Sequence, residues 1–241
     1  MKILHLITAR EGSKGVPNKN IREIAGIPLV GYKAIAAMRS HCCDRLIISS
    51  DSQDIINNAI NYGAEAPFIR PKELASDNAS SFDVISHAMD YIEREEGTIY
   101  DAIMLLEPSS PFATWKDLDN ASAIMKEKEA SLVVGVVEHK INTINIAEMD
   151  RDGKIPSIIH NLKNMSNMNR QTKPKQYTIN GALYLFRWEG FRRNKTIYYD
   201  CKGSYGYIMS PYCSVEIDEE IDLKWAEFLV QNGYINLAPW R

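Results

Sequence analysis

From Ile3 to Val137, short apolar runs alternate with longer stretches in which apolar residues recur every three or four positions. A short apolar run bounded by turn formers marks a strand buried on both faces, whereas the three-to-four spacing gives a helix one buried stripe. Ile3–Thr8, Arg45–Ser50, Ala102–Leu106 and Ser131–Val137 read as such strands, with Ala64–Ile69 as a shorter one. Helices are expected from Pro28, after Ser52, from Ser80 and after Thr114. Proline is tolerated in a first turn, Ser52 can cap, and Asp83 and Asp117 stand three residues beyond Ser80 and Thr114 at the capping-box distance. This alternation predicts an α/β domain of βαβ units on a mainly parallel, Rossmann-like sheet with covered faces. Between Glu138 and Tyr177 the apolar runs thin out, which reads as an excursion from the core. Strand pattern returns at Gly181–Phe186 and Tyr207–Ser210, and a last helix is expected over Glu219–Gln231, with Ile221, Trp225, Phe228 and Leu229 inward.

Composition narrows the classes. The 241 residues are 45% hydrophobic and 24% charged, enough for one sizeable core and one domain. A net charge of −3 gives no whole-surface attraction to nucleic acid or to anionic membrane, so neither is expected as a partner. Cys42, Cys43, Cys201 and Cys213 form no CxxC pair and read as free thiols, and the five histidines show no metal-ligand spacing. The apolar stretch in MKILHLITAR is too short for a leader or a bilayer span, and a cytoplasmic setting is expected.

The segment Ala9–Asn20 (AREGSKGVPNKN) follows the first strand, where open α/β sheets bind ligands. Gly12 and Gly15 permit close approach of backbone N–H groups to an anion, and Arg10, Lys14 and Lys19 add three cations. The spacing is neither that of a Walker A loop nor that of a dinucleotide fingerprint, so on composition alone a solvated basic turn competes with a triphosphate cradle. Near the other end, Glu216 and Asp218 stand two apart, which on a strand puts both carboxylates on one face. Asp222, four residues on, reads equally as a further metal ligand or as a carboxylate at a helix N-terminus.

The run ITAREGSKGVPNKNI resembles the signature of the acylneuraminate cytidylyltransferase family, the CMP-sialic acid synthetases and their relatives. Further matches follow in order: Ser49-Ser50-Asp51-Ser52, Arg70-Pro71, Leu74-Ala75-Ser76-Asp77, Ser80-Ser81, Leu105 to Pro111, Arg170-Gln171, Asn180-Gly181-Ala182 with Tyr184, and Val215 to Asp218. The resemblance implies a three-layer α/β/α nucleotidyltransferase fold and transfer of CMP from CTP to the C2 hydroxyl of a 2-keto-3-deoxy sugar acid, with release of pyrophosphate. It implies Arg10, Lys14, Lys19 and Asp218 as catalytic residues, and Ala9, Gly12, Ser13, Asn20, Arg70 and Ser81 at the nucleotide. Glu107, Arg170, Asn180 and Tyr184 fall at the sugar, with Arg170 suited to hold its carboxylate bidentately, and Glu216 and Asp218 fall at Mg²⁺. It also implies a homodimer built through residues 138–177 as an arm of a single domain, 1–241. Two positions depart from the pattern: Glu107 replaces a Gln and Glu216 an Asp. A carboxylate at position 107 accepts hydrogen bonds from hydroxyl, amide or amino groups but repels a nearby carboxylate, so it bears on the sugar's identity and not on the CTP chemistry. The competing readings are a 3-deoxy-manno-octulosonate cytidylyltransferase and a nucleotide-binding domain without chemistry.

Overall fold

The computed structural model describes residues 1–139, 141–164 and 174–241. Its centre is a six-stranded sheet of β1 (Ile3–Thr8), β4 (Arg45–Ser49), β5 (Ala102–Leu106), β6 (Leu132–Glu138), β7 (Tyr177–Arg187) and β8 (Ser204–Ile208), in the order β4-β1-β5-β7-β6-β8. The two-residue strands β2 (Glu23–Ile24) and β3 (Ile27–Pro28) make a separate antiparallel ribbon. β1 pairs in parallel with β4 and β5, and β6 with β8, while β7 is antiparallel to β5 and β6. The sheet is thus mainly parallel, as the alternation predicts.

Strand alternation assigns the two faces. Ile3, Ile7, Leu46, Ile48, Met104 and Leu106 point to one side, where they meet α1 (Leu29–Arg39), α2 (Gln53–Asn61) and α4 (Trp115–Glu127). Leu4, Leu6, Ile47, Ile103 and Leu105 point to the other, under α3 (Ser81–Glu96) and α6 (Trp188–Asn194). This is the three-layer α/β/α arrangement. A third cluster packs α7 (Glu220–Gln231) against Val16, Ile24, Tyr32, Phe112 and Ile217, and so holds the loop after β1 to the segment before α7. Between β6 and β7 the chain leaves the sheet and forms α5 (Pro156–Asn164), with Ile146, Met149 and Ile159 exposed.

Several local expectations are corrected. Ala64–Ile69 is not a strand: Glu65 makes one parallel bridge to Ile47, and Pro67, which has no N–H, stops the pairing. Of the capping boxes, the one at Thr114 and Asp117 forms. Ser80 caps α3 through Phe82 N, without Asp83, and Ser52 makes no side-chain cap. The face of α7 is also corrected. Leu229 is buried as expected, but Ile221, Trp225 and Phe228 are exposed, and Leu223 and Ala226 go inward instead. Both stripes satisfy helical spacing; small Ala226 fits against a cluster already filled by Tyr32, Phe112 and Trp240. All four cysteines are free, and among the described residues no helix is long and apolar enough to cross a membrane.

Candidate active site

β1 ends at Thr8 and β5 at Leu106, and the segments that leave their carboxyl ends border two adjoining cavities of about 250 and 480 Å³ that share Thr8 and Arg10. The smaller is lined by Arg10, Arg70, Asp77 and Ser81 among others. The larger is lined by Ala9, Ser13, Lys14, Lys19 and Asn20 on one side and by Glu107, Glu216 and Asp218 on the other. Residues drawn from opposite ends of the chain therefore converge where an α/β sheet binds ligands.

The loop after β1 is held from within. Asn20 is buried, and its Nδ2 donates to Arg10 O at 2.8 Å. Lys19 Nζ donates to Ile217 O at 2.7 Å and meets Asp218 Oδ1 at 3.1 Å. Gly15 lies against the Asp218 carbonyl so closely that a Cβ there would collide with the oxygen and lie 3.1 Å from the carbon. Gly12, by contrast, has open space around it. Arg10 and Lys14 both pair with Asp77, at 2.7 and 2.8 Å, and these two hydrogen-bonded cations hold its carboxyl below the usual carboxylate range. Arg70 is buried, donates to Ser49 Oγ at 3.0 Å, and is pulled down to about 10 by burial, so it stays charged at neutral pH.

The segment from Val215 to Asp218 lies outside the named strands, yet it keeps the strand alternation: Val215 and Ile217 are buried, Glu216 and Asp218 exposed. Asp222 caps the last helix: its Oδ2 accepts from Asp218 N at 3.0 Å and Glu219 N at 2.8 Å. Burial, and then the neighbouring Glu216, push Glu107 up, while Lys33 and Lys19 oppose them. Partial desolvation at the cavity wall, and then Asp218, raise Glu216 although the residue stays largely exposed. Among the described residues none donates a hydrogen bond to the Glu107 carboxylate.

Asn180 is buried and spent on structure. Its Nδ2 donates to Ser214 Oγ at 2.9 Å and its Oδ1 accepts from Ala182 N at 3.1 Å, which fixes the turn at Gly181. Tyr184 is raised first by burial and then by Glu107, which places the two near each other. Arg170 lies outside the described residues. Sequence reasoning missed Tyr198, which also feels Glu107, and Lys33. Lys33 was detectable, since it stands three and four residues beyond Val30 and Leu29 on the buried face of α1.

A cationic loop at the carboxyl end of the first strand, facing a pair of carboxylates across a cavity, is an arrangement suited to nucleotidyl transfer. The sequence pattern of the cytidylyltransferase family matches residues 4–235, and the chain belongs to that family. It is 32% identical over 235 residues to the CMP-N,N'-diacetyllegionaminic acid synthase of Legionella pneumophila, covering 96% of this chain and 97% of that protein. The Campylobacter jejuni protein of the same name is 30% identical over 239 residues, covering 99% and 98%. The structure of CMP:2-keto-3-deoxy-manno-octonic acid synthetase complexed with CTP superposes with a TM-score of 0.69 at 12% identity, over 97% of this chain and 100% of that one, a likeness of fold alone.

Proposed function

We propose that the protein transfers CMP from CTP to the C2 hydroxyl of a nonulosonic acid of the legionaminic type and releases pyrophosphate. The observation that carries this reading is Lys19, whose ammonium sits between Ile217 O and Asp218 Oδ1 and so joins the phosphate loop to the carboxylates. Family membership supports the reaction, and relatives that match over nearly their whole length and are named as diacetyllegionaminate synthases support the sugar class.

The nucleotide base and ribose fall to the smaller cavity beside Arg70 and Ser81, and the triphosphate to Arg10, Ser13, Lys14 and Lys19. Positioned cations stabilise charge that builds on the phosphate oxygens and the leaving pyrophosphate, and in-line placement of the two reactants lowers the barrier further. Glu216 and Asp218, two exposed carboxylates lining one cavity, suit a hard cation. Mg²⁺ commonly takes one or two protein carboxylates and completes its shell with phosphate and water. Bound there, Mg²⁺ would supply Lewis-acid stabilisation of the phosphate charge. Arg170 is assigned to the sugar carboxylate, and residues 138–177 to an arm that builds a homodimer. A cytoplasmic setting is supported by four free cysteines.

Mass spectrometry of products from CTP, Mg²⁺ and a panel of 2-keto-3-deoxy sugar acids tests the reading. A CMP-sugar is expected with N,N'-diacetyllegionaminate, and a preference for N-acetylneuraminate in side-by-side kinetics overturns the sugar assignment. Chelation of divalent metal is expected to stop turnover and added Mg²⁺ to restore it. Lys19→Ala is expected to lower kcat by more than about tenfold, since a preorganised cation is lost from the site; near-normal turnover removes Lys19 from the mechanism.

Asp77 adds a consequence for nucleotide affinity. It occupies the two cations that the triphosphate needs, so CTP must displace it. Asp77→Asn is expected to lower KM for CTP by roughly three- to ten-fold, an effect that fades as salt screens these exposed charges. An unchanged or raised KM at low salt shows that Asp77 is no competitor.

A further inference from the structure

Helix α1 runs beneath the site with a lysine on its buried face. Lys33 has no solvent exposure, and its Nζ donates to Ala182 O at 2.7 Å. Ala182 follows Gly181, which turns at φ +67 and is pressed so closely into the site that a Cβ there would lie 2.8 Å from Ser110 Oγ, 3.4 Å from Glu216 Oε1 and 3.6 Å from Glu107 Oε2. The Lys33 ammonium and the Glu107 carboxylate therefore meet the same two-residue turn. Each favours the charged form of the other. Asp117 is the second carboxylate that Lys33 feels, but its oxygens are committed: Oδ2 accepts from Thr114 N at 2.7 Å, and Oδ1 from the Tyr207 hydroxyl at 2.8 Å.

A buried lysine is costly unless its charge is compensated, and burial pulls Lys33 down to about 7 even with those partners. A neutral donor would satisfy the Ala182 carbonyl without that cost. The carbonyl alone is thus a poor reason for a charged residue among Val30, Ala34 and Ala37. A half-buried carboxylate lining the larger cavity, at the position the family resemblance gives to the sugar and where that pattern has a neutral Gln, is a better one. Without a cation beneath it, the Glu107 carboxylate would be pushed further up by burial and by Glu216, and the charge it kept would stand uncompensated in the cavity proposed to take an acidic sugar.

We infer that Lys33 is a positioning residue of the sugar subsite: it is the internal counter-charge of Glu107 and the anchor of the Gly181–Ala182 turn, and together they present an acceptor to the N–H and O–H donors of the sugar. The sugar's own carboxylate then lies away from Glu107. The inference rests on the cytidylyltransferase reading and adds to it a rule for the substrate, namely that donor groups on the sugar face Glu107.

A double-mutant cycle of K33M, E107Q and K33M/E107Q tests it, read by thermal melting without substrate and by separate KM values for CTP and for the sugar. Each single variant strands one charge, the buried Lys33 or the half-buried Glu107, and is expected to lower Tm by about 5 °C or more, and the double variant to recover part of that loss, because replacing both charges costs less than removing one. K33M is expected to raise KM for the sugar about tenfold, at the scale of a lost charge-assisted contact, with KM for CTP within about twofold of wild type, and E107Q added to K33M to lower the sugar KM again. Additive losses in the double variant overturn the pairing, as does a K33M variant in which both KM values rise together. If K33M does not fold, the double variant must fold, and its failure to do so also overturns the pairing. If the wild type forms no CMP-sugar from any sugar acid, the reaction assignment fails, while the melting cycle still decides whether Lys33 and Glu107 act as one unit.

Discussion

Gly15→Ala is expected to lower kcat/KM by about a hundredfold or more while the fold survives. The added Cβ would collide with the backbone oxygen of Asp218, and no side-chain rotation relieves that clash because the atom it meets is main chain. Either the phosphate loop or the segment from Val215 to Asp218 must move aside. Lys19 spans those two segments through Ile217 O and Asp218 Oδ1, so the displacement separates the cation proposed to meet phosphate from its carboxylate. A misplacement of about 1 Å at a reacting centre is worth roughly two orders of magnitude in rate. Steady-state kinetics beside a melting curve decide the matter: near-normal turnover shows that the contact with Asp218 O is not needed. Gly12→Ala is the informative companion, since Gly12 has room for a Cβ and any loss there must come from the bound nucleotide.

If Mg²⁺ binds as proposed, Asp218→Asn is expected to remove metal-dependent turnover, a loss on the order of a thousandfold in kcat, because an amide oxygen neither carries charge nor competes with water for Mg²⁺. Asp218 is exposed to the larger cavity and answers to Lys19 on one side, with Glu216 as the other carboxylate of the face. Asp222→Asn separates metal chemistry from structure. Its Oδ2 caps α7 by accepting from two backbone N–H groups, so its replacement is expected to lower stability by about 1 kcal/mol and activity by less than about tenfold. If Asp222→Asn abolishes turnover and Asp218→Asn does not, the two carboxylates exchange roles. If Asp218→Asn retains metal-dependent turnover, the metal lies elsewhere.

Much of this protein was legible in its residues. The strands that begin at Ile3, Arg45, Ala102 and Leu132, the helices after Pro28, Ser52, Ser80 and Thr114, and the cations of the loop from Ala9 to Asn20 follow from short-range pattern, because burial on a parallel sheet forces continuous apolar runs and a glycine-containing basic turn follows the first of them. The match of successive motifs to the cytidylyltransferases was legible for the same reason, since each is a short local run. Tertiary structure decided what depends on residues far apart in the chain. It chose the small stripe of α7 over the aromatic one, since both have helical spacing and only the shape of the Tyr32–Phe112–Trp240 cluster distinguishes them. It ended the pairing after Glu65 at a single bridge, assigned Asp222 to a helix cap, and pressed Gly15 onto Asp218 across two hundred residues of sequence. It also placed Lys33 beneath the turn beside Glu107, a meeting of α1, β7 and the residue after β5 that no local spacing records, because packing in three dimensions and not sequence distance sets which charges feel each other.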